Sequence, residues 1–297
     1  MSPRRHHIVS AGYQRHFADG ELVRHWLKAD NSWSRPIGVR DSFVEEGFNS
    51  VFTPDPATIE ALEKEWARIE GSVIPAIDAA ERGDRSPGVA HALKAVIAMH
   101  YCRSYSHRIV SEQTIEILRT QGIDLPRQPD MVEAFEAQFG HPPEPGEMEA
   151  RYELLVAATE ASRVLFVGGM TRIYGKVMEI LRPLHLQIGV PFKRDIGLLF
   201  GDTPVVVQSG VKVGVREGVA IGNCELVYMP LSRWTAMSLS AAPRGDGMMG
   251  PAQVQKMNLL MRRNCRDRLA AHPCEDIPRA LGMNAPPDWP PNDHPCT

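Results

Sequence analysis

Between residues 56 and 77 apolar side chains recur three or four positions apart: Ile59, Leu62, Trp66, Ile69, Val73 and Ile77. That spacing sets all six on one stripe of an α-helix, and such a stripe must be buried against a partner. The partner follows directly in the chain. Arg85-Ser-Pro-Gly88 interrupts the pattern, after which Val89, Leu93, Val96, Ile97, His100 and Ser104 line one face of a second helix. A connection this short predicts that the two helices pack antiparallel.

Other segments arrange themselves around this pair. Residues 10–18 read as a short helix with Ser10 as N-cap, ended by the turn pair Asp19-Gly20. A hairpin is expected next, with a strand over 22–27, turn chemistry at Asn31-Ser32 and a returning strand over 36–39; residues 40–54 then read as a loop. Further helices are expected over 111–120, 129–139 and 147–182, the last with a kink at Gly168-Gly169. Short β-prone runs follow at 198–200, 204–208, 211–215, 225–229 and 234–239, and a helix is expected over 251–271.

Hairpin, helices, strands and a closing helix in that order point to an α+β fold. Its core is mainly helical, with an N-terminal β-hairpin and a C-terminal block of short antiparallel strands closed by a final helix. Residues 1–283 are expected to form one domain, because no long flexible linker divides the core patterns, and the Pro-rich residues 284–297 a loose tail.

Composition excludes several classes. With 43% hydrophobic and 23% charged residues among 297, disorder is not the main state. A formal net charge of −3 argues against a surface that is basic throughout, while leaving room for local basic patches. Five scattered cysteines without a Cys-x-x-Cys pair indicate neither a disulfide framework nor a thiolate zinc site, and fit a reducing compartment. No apolar run approaches the roughly 20 residues of a membrane helix, and no apolar segment follows the basic start, so a cytoplasmic protein without a membrane partner is expected. The phosphate-binding, dinucleotide, zinc-protease and nucleophile-elbow motifs are all missing, so no nucleotide cofactor is indicated.

The residues that could carry chemistry lie far apart in the sequence. His6-His7 offers two imidazoles for a metal or for general-base work, or is a solvated pair. Glu63 and Glu70 flank the apolar seam of the first long helix. His100 and Arg103 lie one turn apart on the second, as site residues or as a satisfied core hydrogen bond. Asp202 in Phe200-Gly-Asp-Thr-Pro204 can hold a metal, orient a histidine or close a turn. Pro230-Leu-Ser-Arg233 is either a turn or the edge of a site. Lys256, Arg262, Arg263, Arg266 and Arg268 oppose a single Asp267, and with Arg4, Arg5 and Arg15 they make either a phosphate-attracting face or an ordinary solvated one. Asn258 and Asn264 are mediocre helix formers, which suggests that a hydrogen bond retains them.

The segment His6-His7-Ile-Val-Ser-Ala-Gly-Tyr13-Gln-Arg15-His-Phe17 resembles the opening His-His-x-Val-Pro-x-x-Tyr-Leu-Arg-x-Phe motif of the bacterial and archaeal family catalogued as domain of unknown function 4238. Glu70, His100-Tyr-Cys-Arg103, Asp202-Thr-Pro204, Pro230-Leu-Ser232 and Asn258 continue that family's pattern in order, to about residue 275. Ser10 stands where the family usually has Pro, and Gln14 where it has Leu. The resemblance implies that His7, Glu70, Arg103 and Asp202 form one site, and it names no substrate.

Two functional expectations follow. In the first, a metal-dependent phosphodiester hydrolase of nuclease-like type, His6 or His7 with Asp202 and Glu70 would hold a divalent ion that activates water. His7, Glu70, His100 and Arg103 would be catalytic, Arg103 stabilising charge on the phosphate, while Arg15, Arg262 and Arg266 would bind the substrate. In the second, a non-enzymatic binding module, the same His7, Glu70, His100 and Arg103 form a polar network that locks the N-terminal arm to the helices. Basic residues of the final helix then contact nucleic acid or an acidic partner.

Overall fold

The strand Leu22–Leu27 (β2) organises the N-terminal part of the fold, which a computed structural model describes over residues 5–46, 56–105, 129–151, 153, 163–209 and 221–283. Before β2 come a short strand, Arg5–His7 (β1), and the helix Ala11–Gln14 (α1), continued by a 3₁₀ turn over Arg15–Phe17. Ser10 caps α1 as its composition predicts, its hydroxyl accepting the Tyr13 N–H. Gly20 then takes φ +57°, a left-handed value that glycine adopts without steric penalty. The chain enters β2, turns through Asn31 at φ 50°, and returns as Ser32–Trp33 (β3) and Ile37–Gly38 (β4), both antiparallel to β2.

Residues 40–54 contain more than a loop, because Val44–Glu46 (β5) pairs antiparallel with β1 in the register His6 to Glu45. Two long helices follow, Pro56–Glu81 (α2) and Pro87–Cys102 (α3), and they pack on each other. The break between them is where the Arg-Ser-Pro-Gly signal puts it: Ser86 caps α3 and Pro87 opens it, where a missing N–H removes no helical bond. Pro129–Phe139 (α4) is helical as expected. Arg163–Leu181 (α5) lies within the long helix expected over 147–182 and continues through Gly168-Gly169.

Most of the later strands form a second sheet. Its order is β11-β6-β10-β9-β8, from His185–Pro191 (β6), Val206–Gln208 (β8), Leu226–Ser232 (β9), Thr235–Ser240 (β10) and Gly247–Met249 (β11). All pairings are antiparallel except β11 with β6. Neither β6 nor β11 is foreseen by the sequence reading, β6 because its burial does not alternate strictly and β11 because it has three residues flanked by glycine. The helix expected over 251–271 is a shorter helix, Pro251–Asn264 (α6), followed by the strand Arg268–Ala271 (β12). Cys265 turns extended at φ −68°, ψ 143°, which stops the helix.

Strand β12 leaves the C-terminal block and enters the N-terminal sheet, pairing with β2 on one side and with Phe200–Gly201 (β7) on the other. The sheet order is β3-β2-β12-β7. Over this join sits an aromatic cluster in which Phe17 and Phe200 ring centroids are 4.5 Å apart, Tyr13 and Phe200 5.5 Å, and Tyr13 and His100 5.1 Å. A last short helix, Ile277–Ala280 (α7), is capped by Asp276. The helix expected over 111–120, the strand over 211–215 and the tail over 284–297 lie outside the described residues.

Candidate functional site

Arg103, the first residue beyond α3, is 5% exposed, so its charge has to be met inside the protein. Its Nη1 donates to Glu70 Oε1 at 2.5 Å, and its Nη2 donates to the backbone carbonyl of His7. One guanidinium therefore ties α2, α3 and β1 together. The sequence places both partners within reach, since Glu70 lies beside the buried stripe of α2 and Arg103 is one turn beyond His100. Glu70 keeps about a third of its side chain in solvent. His7 contributes its carbonyl; its ring is half-buried and places Nε2 3.2 Å from the Val39 carbonyl oxygen.

His100 is 1% exposed, and neither of its ring nitrogens has a hydrogen-bond partner among the described residues. Burial, reinforced by the Arg103 charge, pushes its pKa down to about 3, so the ring is neutral at pH 7. Arg103 Nε and Trp66 Nε1 are likewise buried without partners there, on the helices that meet at this node. His100 is thus a core histidine whose ring lacks the hydrogen bond that a satisfied core residue would have among the described residues.

Asp202 shares no hydrogen bond with Arg103 or Glu70 among the described contacts. It is buried in the turn after β7, where Oδ1 accepts the Arg266 N–H at 2.8 Å and Oδ2 accepts those of Asp267 at 2.7 Å and Arg268 at 3.0 Å. Burial raises its pKa against the opposing pull of these three hydrogen bonds. The carboxylate holds the backbone at the turn from α6 into β12. Both Asp202 oxygens accept backbone N–H groups, and among the described residues no three His, Cys, Asp or Glu side chains are grouped to hold a metal ion. His6 is buried in the β1–β5 ribbon.

The three arginines expected to bind substrate have local tasks. Arg15 pairs with Glu21 at 2.7 Å in solvent. Arg262 lies 4.9 Å over the Trp26 ring and Arg266 4.6 Å over the Tyr105 ring, so their guanidinium planes cover aromatic faces of the fold. Lys256 and Arg263 of α6 are exposed.

Other family-pattern residues also fasten distant backbone. Tyr13 donates its hydroxyl to the Pro230 carbonyl at 2.7 Å. Asn258 is fully buried, accepting the Leu199 N–H at 2.9 Å and donating to the Gly197 and Ala280 carbonyls, while Asn264 donates to Thr203 and Val205. Both asparagines are thus held by hydrogen bonds, as their poor helix propensity suggests. The two departures from the pattern also have structural work, Ser10 as the α1 cap and Gln14 as a donor to the Val9 and Ser42 carbonyls. One partner escaped the sequence reading: Glu81, the last residue of α2, accepts hydrogen bonds from Ser232 and Thr235. Its position at a helix end carries no periodic signal.

No curated protein and no solved structure matches the chain. A family model described as "Protein of unknown function (DUF4238)" matches residues 5–275, which spans the Arg103 node, the Asp202 clamp and α6. The chain belongs to that family.

Proposed function

We propose that the chain is a non-enzymatic module that binds a polyanion, nucleic acid before other candidates, through the basic face of α6. The observation that carries this reading is the contrast in how the charged groups are used. Arg103 directs its two terminal nitrogens to Glu70 and the His7 carbonyl, and the Asp202 oxygens accept backbone N–H groups, so both charges serve contacts within the protein. The cations of α6 are differently placed. No acidic residue occurs between Asp246 and Asp267, and within that span Lys256 and Arg263, seven residues apart and so on one helical face, point to solvent. A local basic surface on a mildly acidic protein attracts phosphates without coating the whole molecule.

The test is fluorescence anisotropy with labelled RNA and DNA across a salt series, comparing the unaltered chain with Lys256→Glu/Arg263→Glu. Binding should weaken about tenfold or more in the double variant, and the slope of log K against log salt should fall by about one for each phosphate that is no longer neutralised. The same oligonucleotides are incubated with magnesium, manganese or zinc. Metal-dependent cleavage that disappears in Arg103→Met would replace this reading with the hydrolase one.

A further inference from the structure

We infer that the nucleic acid taken by this surface is single-stranded, and that Phe192 with the neighbouring Arg194 and Trp234 forms the place where its bases stack. This rests on the polyanion reading and extends it to a second, adjoining patch. Phe192 is 64% exposed just beyond β6, where its N–H donates to the Met249 carbonyl at 2.8 Å; Met248 of the edge strand β11, 66% exposed, is in register with Val190, two residues before Phe192. Phe192 and Met248 are the two most exposed large hydrophobic side chains among the described residues.

The residues around Phe192 are cationic and aromatic by turns. Lys193 and Arg194 follow it in sequence and are exposed. Arg194 reaches over the half-buried Trp234 with 5.9 Å between guanidinium carbon and ring centroid, and Arg233 approaches the same ring at 4.5 Å. The acids here are paired, Asp195 with Arg279 at 3.0 Å and Glu275 with Arg233 at 3.1 Å, which leaves the charges of Lys193 and Arg194 in excess. Flat π-faces and guanidinium planes set among positive charges are what splayed bases and their backbone require, whereas a duplex keeps its bases stacked on one another and offers mainly phosphates.

The patch connects with α6. Arg279, which holds Asp195 through its guanidinium, also accepts a hydrogen bond on its carbonyl from Gln255 at 2.9 Å, and Gln255 precedes Lys256. A strand stacked at Phe192 would thus continue toward the basic helix face.

The experiment compares a labelled single-stranded 16-mer with a duplex of the same length, using the full chain, Phe192→Ala, Arg194→Glu and Lys256→Glu/Arg263→Glu. Phe192→Ala should weaken single-strand binding by about tenfold while leaving duplex binding and the melting temperature unchanged. Arg194→Glu should weaken the single strand more than the duplex. Equal binding of the single strand by Phe192→Ala and the unaltered chain, with the α6 double variant still impaired, would overturn the stacking site and leave the polyanion reading standing. Failure of the unaltered chain to bind either oligonucleotide would overturn both.

Discussion

The Asp202 clamp and the Arg103 node both place a charged side chain inside the protein and fasten distant pieces of backbone, yet they differ in what is left over. At the clamp, both carboxylate oxygens are engaged by three N–H groups of the turn they hold, and the adjoining Thr203 hydroxyl is the one group there left without a partner among the described residues. At the node, Arg103 satisfies its two terminal nitrogens but not Nε, and His100 and Trp66 add three further ring nitrogens without partners among the described residues. A satisfied buried network is a structural part; unsatisfied groups are either a load on stability or spare capacity. Residues alike in polarity, and in the family pattern they follow, thus divide into two kinds.

Breaking the clamp should have the larger effect. Asp202→Ala leaves three backbone N–H groups without their acceptor in a buried turn, and a loss of about 3–5 kcal/mol is expected in urea unfolding at pH 7. A loss below about 1 kcal/mol would show that water or a shifted turn replaces the carboxylate. Arg103→Met removes the shared partner of Glu70 and the His7 carbonyl. Because Glu70 is about one third exposed, its charge can turn to water, so the expected loss is smaller, about 2–3 kcal/mol. The same variant should open the β1–β5 ribbon, read as faster amide exchange at Ile8, whose N–H bonds the Phe43 carbonyl, and slower exchange than that in the β2–β12 pair.

Least affected at pH 7 should be His100→Phe, since the imidazole it removes has no hydrogen bond to lose; stability is expected within about 1 kcal/mol of the original. Its effect appears in acid. The folded-state pKa of His100 lies at about 3, below the ordinary 6.5, so from pH 6.5 down to about 3 the unfolded chain binds a proton that the folded chain refuses. Stability falls as pH drops through that window, and His25, held at about 3 by burial and by Arg268, acts in the same direction. Removing His100 should flatten the fall by about 1.4 kcal/mol per pH unit, measured by unfolding between pH 4 and 6. An unchanged slope would mean that the ring is already charged in the folded protein.

The α2–α3 pair was legible from spacing alone, because a helix that buries one stripe must repeat its apolar residues at 3.6. The hairpin strand β2, the cap Ser10 and the break at Arg85-Ser-Pro-Gly88 were legible for similar local reasons. Strand β12 was not: the sequence over 265–271 continues a helical pattern, and the groups that turn the backbone there are remote, the Asp202 carboxylate more than 60 residues earlier and Lys28 at the end of the first hairpin strand. The site divides along the same line. Glu70 and Arg103 announce themselves by position relative to an apolar face, whereas His7 takes part through a carbonyl that every residue possesses, and Asp202 looks the same in sequence whether it binds a metal or a turn.

Strand β12 also sets the order in which the chain can be completed. Its residue Leu269 pairs with Trp26, so on the ribosome the N-terminal hairpin is finished about 240 residues before the strand that covers its open side has been made. Until then β2 presents unpaired backbone along that side to any other extended segment nearby. A chain cut short before residue 268 would keep that edge for good, and its first hairpin would remain half a sheet in search of a partner.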